Sequence, residues 1–314
     1  MPTNCEIGLR GLAIRADGTV LLGGFGGCRD GHLYGVKFDY NPDAPYQQGV
    51  NPAVHAIDHW YLPDLEHRYR DGQFCSFNYN AAAYGYAVDQ KGHLWVSSLT
   101  DNIAWVDLDA RRSCSFSSSL TYGIAVDYAG RVWLGNWSNS GCIGFVFEPN
   151  TKSMKCIDKW ENGNSFWTGT EISSSQHTRG ASASADPNKP FGYFNMSNGN
   201  FGPVKVKVTN EDPNNFDARV VGMMLLDESG VCPTNGSGCG VSLDGQGDLW
   251  AIGMNACGTS SVDGKDYGSV AVSAEIDPDK INGWVKPNNG NAKDYVKGLT
   301  GQGSYTYTYS DFMG

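Results

Sequence analysis

Apolar residues in this chain come in short runs, broken every few positions by Gly, Asp, Asn or Pro. Runs of that kind, bounded by turn residues, read as β-strands. Three of them belong to one repeat: Gly85-Tyr-Ala-Val-Asp89-Gln-Lys-Gly92-His-Leu-Trp95, Gly123-Ile-Ala-Val-Asp127-Tyr-Ala-Gly130-Arg-Val-Trp133 and Gly240-Val-Ser-Leu-Asp244-Gly-Gln-Gly247-Asp-Leu-Trp250. A looser copy starts at Gly11 and carries Leu21 in the Trp place, and a degenerate one runs from Gly180 through Asp186 to Phe191 and Tyr193. The pattern predicts a hairpin. The run after the first Gly is one strand, Asp-x-x-Gly is a tight turn whose Asp bonds its own backbone and whose Gly accepts positive φ, and the Leu-Trp or Val-Trp stretch is the return. Asp89, Asp127 and Asp244 are therefore read as turn residues, and the Trp as packing between neighbouring sheets.

A third and a fourth strand follow each return, as in Asn102–Asp107 with Ser113–Phe116, and Cys142–Phe147 with Met154–Ile157; Ser269–Ile276 is the third strand of the last copy. Four strands per repeat predict an all-β propeller. Trp95 and Trp133 are 38 residues apart, the size of a compact blade, whereas Gly11 to Gly85 spans 74, so long loop insertions are expected near 40–80, 160–177 and 208–238. Five blades are visible. The termini supply strands for another, so six blades are expected, with five or seven as alternatives. The alternating stretch Ser304–Ser310 is expected to pair with N-terminal strands and close the ring, all within one domain over 1–314.

Composition narrows the partners. The net charge of −10 repels phosphate backbones, which argues against nucleic acid. No stretch of about 18 apolar residues occurs, so no membrane span is expected. Nine cysteines without a CxxC or zinc-finger spacing favour disulfides in an oxidising compartment, hence an extracellular or periplasmic chain. Cys142 with Cys156, flanking adjacent strands, and Cys232 with Cys239, in one Gly-rich loop, are candidate pairs. The first residues lack a basic, then apolar, leader pattern. The abrupt end at Asp311-Phe-Met-Gly314 fits a domain of a larger parent protein.

The residues Tyr84-Gly-Tyr-Ala-Val-Asp89, Tyr122-Gly-Ile-Ala-Val-Asp127 and Gly130-Arg-Val-Trp133 resemble the streptogramin (virginiamycin B) lyase-like propellers, related to NHL-type repeats. His177-Thr-Arg-Gly180 resembles the His-containing segment that opens one blade there, and Tyr307–Phe312 a closing segment. The resemblance implies His177 as a base for elimination and a magnesium ion held by glutamates after a Trp-Phe-Thr motif. Here the residues after the Trp read Val-Ser-Ser98, Leu-Gly-Asn136 and Ala-Ile-Gly253, with no Glu. No cofactor is therefore assigned; magnesium or calcium lacks a supporting motif, and catalysis is left undecided.

The same resemblance places the first strand of each blade along the central channel. Candidate residues at the mouth are then Arg10, Tyr84, Tyr122, His177, Arg179 and Cys239 before the first strands, and Phe25, Ser98, Asn136, Trp137, Asn195 and Asn255 at the ends of the second. Aromatic rings, amides and a guanidinium suit a small polar molecule, a glycan or a peptide. Arg179 could hold a carboxylate or bond backbone carbonyls. Asn136, Asn195 and Asn255 could equally cap loops. His55, Asp58, His59, Asp64, Glu66 and His67 are irregularly spaced and read as solvated loop residues. Three functions stay open: a binding propeller, a lyase-like enzyme, and a structural protein of a surface layer, fibre or other assembly.

Overall fold

The computed structural model describes residues 9–24, 31–38, 54–77, 83–138, 141–167, 178–197, 202–224, 237–254, 259–262, 265–269, 272–285 and 294–297. Its strands form five antiparallel four-stranded sheets. The first holds β1 (Leu9–Ile14), β2 (Val20–Gly24), β3 (His32–Phe38) and β4 (Val54–Tyr61). The second holds β5 (Ala83–Val88), β6 (Leu94–Ser98), β7 (Asn102–Asp107) and β8 (Arg112–Ser117). The third holds β9 (Thr121–Val126), β10 (Val132–Asn136), β11 (Gly144–Glu148) and β12 (Ser153–Ile157). The fourth holds β13 (Thr178–Ala183), β14 (Phe191–Met196), β15 (Pro203–Asn210) and β16 (Asp217–Met224). The fifth takes β17 (Ser237–Leu243) and β18 (Leu249–Met254), is interrupted by a separate hairpin of β19 (Thr259–Val262) and β20 (Lys265–Ser269), and resumes with β21 (Val272–Ile276). Strand β22 (Gly283–Val285) then pairs in parallel with β16 of the fourth sheet, and β23 (Asp294–Lys297) completes the fifth.

The fold is thus a β-propeller of five blades, not the six expected. The reason lies at the ends of the chain. Strand β1 is the inner strand of the first blade and β23 the outer strand of the fifth, so neither end leaves a described strand over for a sixth. The closing stretch expected at 304–310 lies outside the described residues. Among those described, no pairing joins the fifth sheet to the first.

Each repeat motif folds locally for the reason its residues dictate. In the second, third and fifth blades the first Asp accepts two backbone amides with one carboxylate oxygen, at 2.9–3.0 Å. The turn glycine sits at φ of 81–88° (Gly92, Gly130, Gly247), where an L side chain is strained. The other carboxylate oxygen accepts the indole N–H six residues on, at 3.3 Å from Trp95 and 3.0 Å from Trp133 and Trp250. One residue therefore closes the hairpin and also fixes the ring that packs between blades.

Among the described residues the core forms four layers, one between each successive pair of blades. Leu21, Leu33, Trp60 and Tyr86 join blades one and two; Trp95, Trp105, Phe145 and Phe147 join two and three. Trp133, Phe166, Phe194 and Met223 join three and four; Tyr193, Met224, Leu249 and Ile276 join four and five. Close approach replaces side chains with glycine where rings cross. A Cβ on Gly192 would lie 2.3 Å from the Trp133 ring, and one on Gly144 would lie 2.4 Å from Phe194.

Among the described residues two disulfides brace the blades. Cys142–Cys156 ties the segment leading into the third strand of blade three to its fourth strand, with Cα atoms 5.5 Å apart, as the flanking positions suggested. Cys75–Cys114, with Cα atoms 5.8 Å apart, pins the segment after β4 onto β8 and was not foreseen. The Cys232–Cys239 pairing rests on residues whose side chains lie outside the description.

Candidate functional site

The five inner strands share an irregularity that the repeat alignment does not reveal. In each sheet one extra residue of the inner strand faces the second strand. The shifts fall between Leu9 and Gly11, Ala83 and Tyr86, Thr121 and Ile124, Thr178 and Ala181, and Gly238 and Val241. Each is a one-residue β-bulge over an x-Gly pair: Arg10-Gly11, Tyr84-Gly85, Tyr122-Gly123, Arg179-Gly180 and Cys239-Gly240. Bulges re-aim a side chain and often flank functional sites. Of the residues expected before the first strands, Arg10, Tyr84, Tyr122, Arg179 and Cys239 therefore lie within those strands, at equivalent positions at one end of the blades.

The bulges are braced by the preceding blade. Ser97 donates its hydroxyl to the Tyr122 carbonyl at 2.5 Å. Asn195 donates to the carbonyls of Gly240 at 2.8 Å and Ile252 at 3.0 Å. Between these two, Gly135 stands where a Cβ would fall 2.0 Å from the Arg179 carbonyl oxygen, so only glycine admits the next blade's bulge. Thr178, beside Arg179, donates to the Ile143 carbonyl and accepts the Asn136 backbone N–H at 3.1 Å.

Around these backbones four candidate side chains meet. The Tyr84 and Tyr122 hydroxyls share a hydrogen bond of 2.6 Å, their ring centroids are 4.2 Å apart, and both residues are buried. Tyr122 lies 5.0 Å from the half-buried Trp137 ring. The Arg179 guanidinium sits over Trp137 at 5.0 Å and over Tyr122 at 5.9 Å. Its Nε and Nη1 are buried and make no hydrogen bond, so it does not bond backbone carbonyls through them.

Two of the amide candidates bond the protein's own backbone and side chains. Asn136 donates to the Cys142 carbonyl at 2.6 Å and accepts the Ser138 amide at 2.7 Å and hydroxyl at 2.8 Å, which folds the loop carrying Trp137. Asn195, besides bracing blade five, accepts the Gly202 amide at 3.1 Å. Ser98 bonds Thr100. Phe25, His177 and Asn255 lie outside the described residues, as do the Arg10 and Cys239 side chains. Within the region 54–67, His59 pairs with His32 at 2.8 Å, Glu66 with Arg68 and Arg112, and His67 stacks on Phe77. Among the described residues no three His, Cys, Asp or Glu side chains come together as a metal site.

A cavity of about 770 Å³ opens at the opposite end of the inner strands, next to the hairpin turns. Its walls are small and apolar (Ala87, Ile124, Ala181, Ala183, Val241), and Lys205 reaches it from β15. Burial lowers the Lys205 pKa, and the ammonium is held by the Pro278 carbonyl at 2.9 Å and lies 4.3 Å from the Phe191 ring. Several rim carboxylates are engaged in turns: Asp244 by two amides and Trp250, Asp186 by Asn188, Asp277 by the Asp279 amide. The sequence offered no sign of this cavity, because its lining comes from strand ends of four blades. Lys205 and several rim carboxylates of this cavity are engaged by the protein, whereas Arg179 Nε and Nη1 at the bulge end are not.

No family model matches the chain, and no curated protein does. Among solved structures, a catalytically inactive virginiamycin B lyase from Staphylococcus aureus with quinupristin is similar at a TM-score of 0.51 and 10% identity, over 95% of this chain and 72% of that one. The β-propeller domain of Swd1 from Myceliophteria thermophila is similar at 0.50 and 10%, over 94% and 75%. At such identities the likeness is one of fold, and it agrees with the strand pairing: this chain is a β-propeller of the architecture that the virginiamycin B lyase also uses.

Proposed function

We propose that the protein is an extracytoplasmic binding propeller that holds a small polar, glycan or peptide ligand at the bulge end of its central channel. One observation carries this reading: the bulge residues of three consecutive blades, Tyr84, Tyr122 and Arg179, form with Trp137 a single contiguous cluster. The two tyrosines are its packed base; Trp137 and Arg179 are the members with residual exposure. An aromatic face beside a cation suits a ligand with an apolar side and polar substituents. The two disulfides support an oxidising compartment. Without the metal-binding glutamates, a lyase reading has no comparable support. Screening glycan and peptide arrays, with tryptophan fluorescence as the solution readout, tests the proposal. A ligand is expected whose binding weakens at least tenfold in Trp137→Ala while the circular dichroism is unchanged. Ligands that bind equally well to Trp137→Ala and Arg179→Gln would place the function elsewhere.

A further inference from the structure

We infer that the ligand at this mouth carries a carboxylate for which Arg179 is the anchor, and that a hexuronate sugar is the body that fits it; the inference rests on the channel-mouth reading above. Arg179 keeps residual exposure, but its Nε and Nη1 are buried; guanidinium donors buried without acceptors are costly, so proteins pair them. This chain has 33 acidic residues and a net charge of −10 from which to draw a partner. Every other arginine whose side chain is described has an oxygen partner, from the Arg15–Asp109 pair at 2.8 Å to the buried Arg131–Asp127 pair at 2.7 Å. Arg131 Nη2 is also buried without a hydrogen bond, but Asp127 neutralises that guanidinium; Arg179 has no such partner for Nε and Nη1.

What it has instead are rings. Trp137 and Tyr122 lie against the guanidinium and offer π-density, but they supply no acceptor for its in-plane N–H donors. A carboxylate supplies such acceptors with the opposite charge. Position is fixed in advance, since the Arg179 carbonyl seats against Gly123 and Gly135, and Thr178 is tied to blade three. A pre-positioned donor loses less freedom on binding. The rings then select the body. A sugar presents a C–H face to Trp137 while a carboxylate on the same ring reaches Arg179, and a hexuronate has both.

The test compares glucuronate with its neutral counterpart glucose, and a short peptide bearing a free C-terminus with its amide, by calorimetry and tryptophan fluorescence on wild type, Arg179→Gln and Arg179→Lys. Glucuronate is expected to bind at least tenfold more tightly than glucose, about 1.4 kcal/mol. Arg179→Gln should erase that preference, leaving residual sugar binding and an unchanged melting temperature; Arg179→Lys should restore part of it. Equal affinity for glucose and glucuronate, still weakened by Trp137→Ala, overturns the carboxylate inference and leaves the channel-mouth reading intact. Preference for the free-terminus peptide over both sugars overturns the hexuronate. Binding of any probe that ignores both Arg179→Gln and Trp137→Ala removes the site itself.

Discussion

At the scale of single residues, the aspartates that the repeat presents as equals are not equal. Asp127, Asp89 and Asp244 all close the same turn, but only Asp127 also binds a buried arginine: Arg131 Nε donates to it at 2.7 Å, with the guanidinium over Tyr128 and Phe216. Asp127→Ala strands that cation and is expected to cost about 3–5 kcal/mol in urea unfolding. Asp244→Ala, at a partly exposed turn, loses only hydrogen bonds and is expected to cost about 1 kcal/mol. Equal losses would mean that the Arg131 pair contributes nothing. The same geometry sets a pH dependence. The Trp250 indole, and after it the Asp248 and Gln246 amides, hold the Asp244 carboxyl below its ordinary 3.8 against some desolvation. A depressed carboxyl takes up its proton more readily in the unfolded chain, so its stabilisation is complete above about pH 4 and is lost as pH falls through the folded value. The urea midpoint should fall below about pH 4, and more shallowly in Asp244→Asn; parallel curves for the two proteins would refute this.

At the scale of elements, the x-Gly bulge links packing to the site. Gly135→Ala places a methyl on the Arg179 carbonyl and must push blade four from blade three. The expected cost is about 1–3 kcal/mol by denaturant unfolding, together with a changed Trp137 emission because Arg179 moves with the backbone. The two described disulfides close loops of different length. Cys75–Cys114 spans 39 residues and Cys142–Cys156 spans 14. Chain entropy then makes removal of the first costlier by about 1 kcal/mol. Comparing Cys75→Ser/Cys114→Ser with Cys142→Ser/Cys156→Ser by melting tests the order, and a larger loss for the second pair would show that strain or packing outweighs loop closure.

At the scale of the molecule, stability is layered as the cores are. Strands β6 and β10 are buried at every residue and flanked on both sides, whereas residues 55–59 of β4 are exposed. Hydrogen exchange should protect β6 and β10 longest and release β4 first. Exchange of β6 as fast as β4 would mean that the inter-blade layers do not hold the blades together.

The sequence by itself determined everything whose cause is local. The turn and its hairpin follow from Asp-x-x-Gly-x-x-Trp because the Asp bonds that close them span no more than six residues. The third and fourth strands of blades two and three fall where their apolar runs lie, and the residues before each repeat glycine were recognisable as a set. What the sequence could not decide are matters of juxtaposition. The count of five depends on which strands pair at the chain ends. The Cys75–Cys114 bond depends on where the segment after β4 lands. That Asn195 braces the next blade's backbone, that Tyr84 and Tyr122 satisfy one another, and that Arg179 Nε and Nη1 are left without an acceptor all depend on contacts between residues tens of positions apart. Only the stacking of one blade against the next brings those together, since burial there, and not local conformation, decides which polar groups find partners.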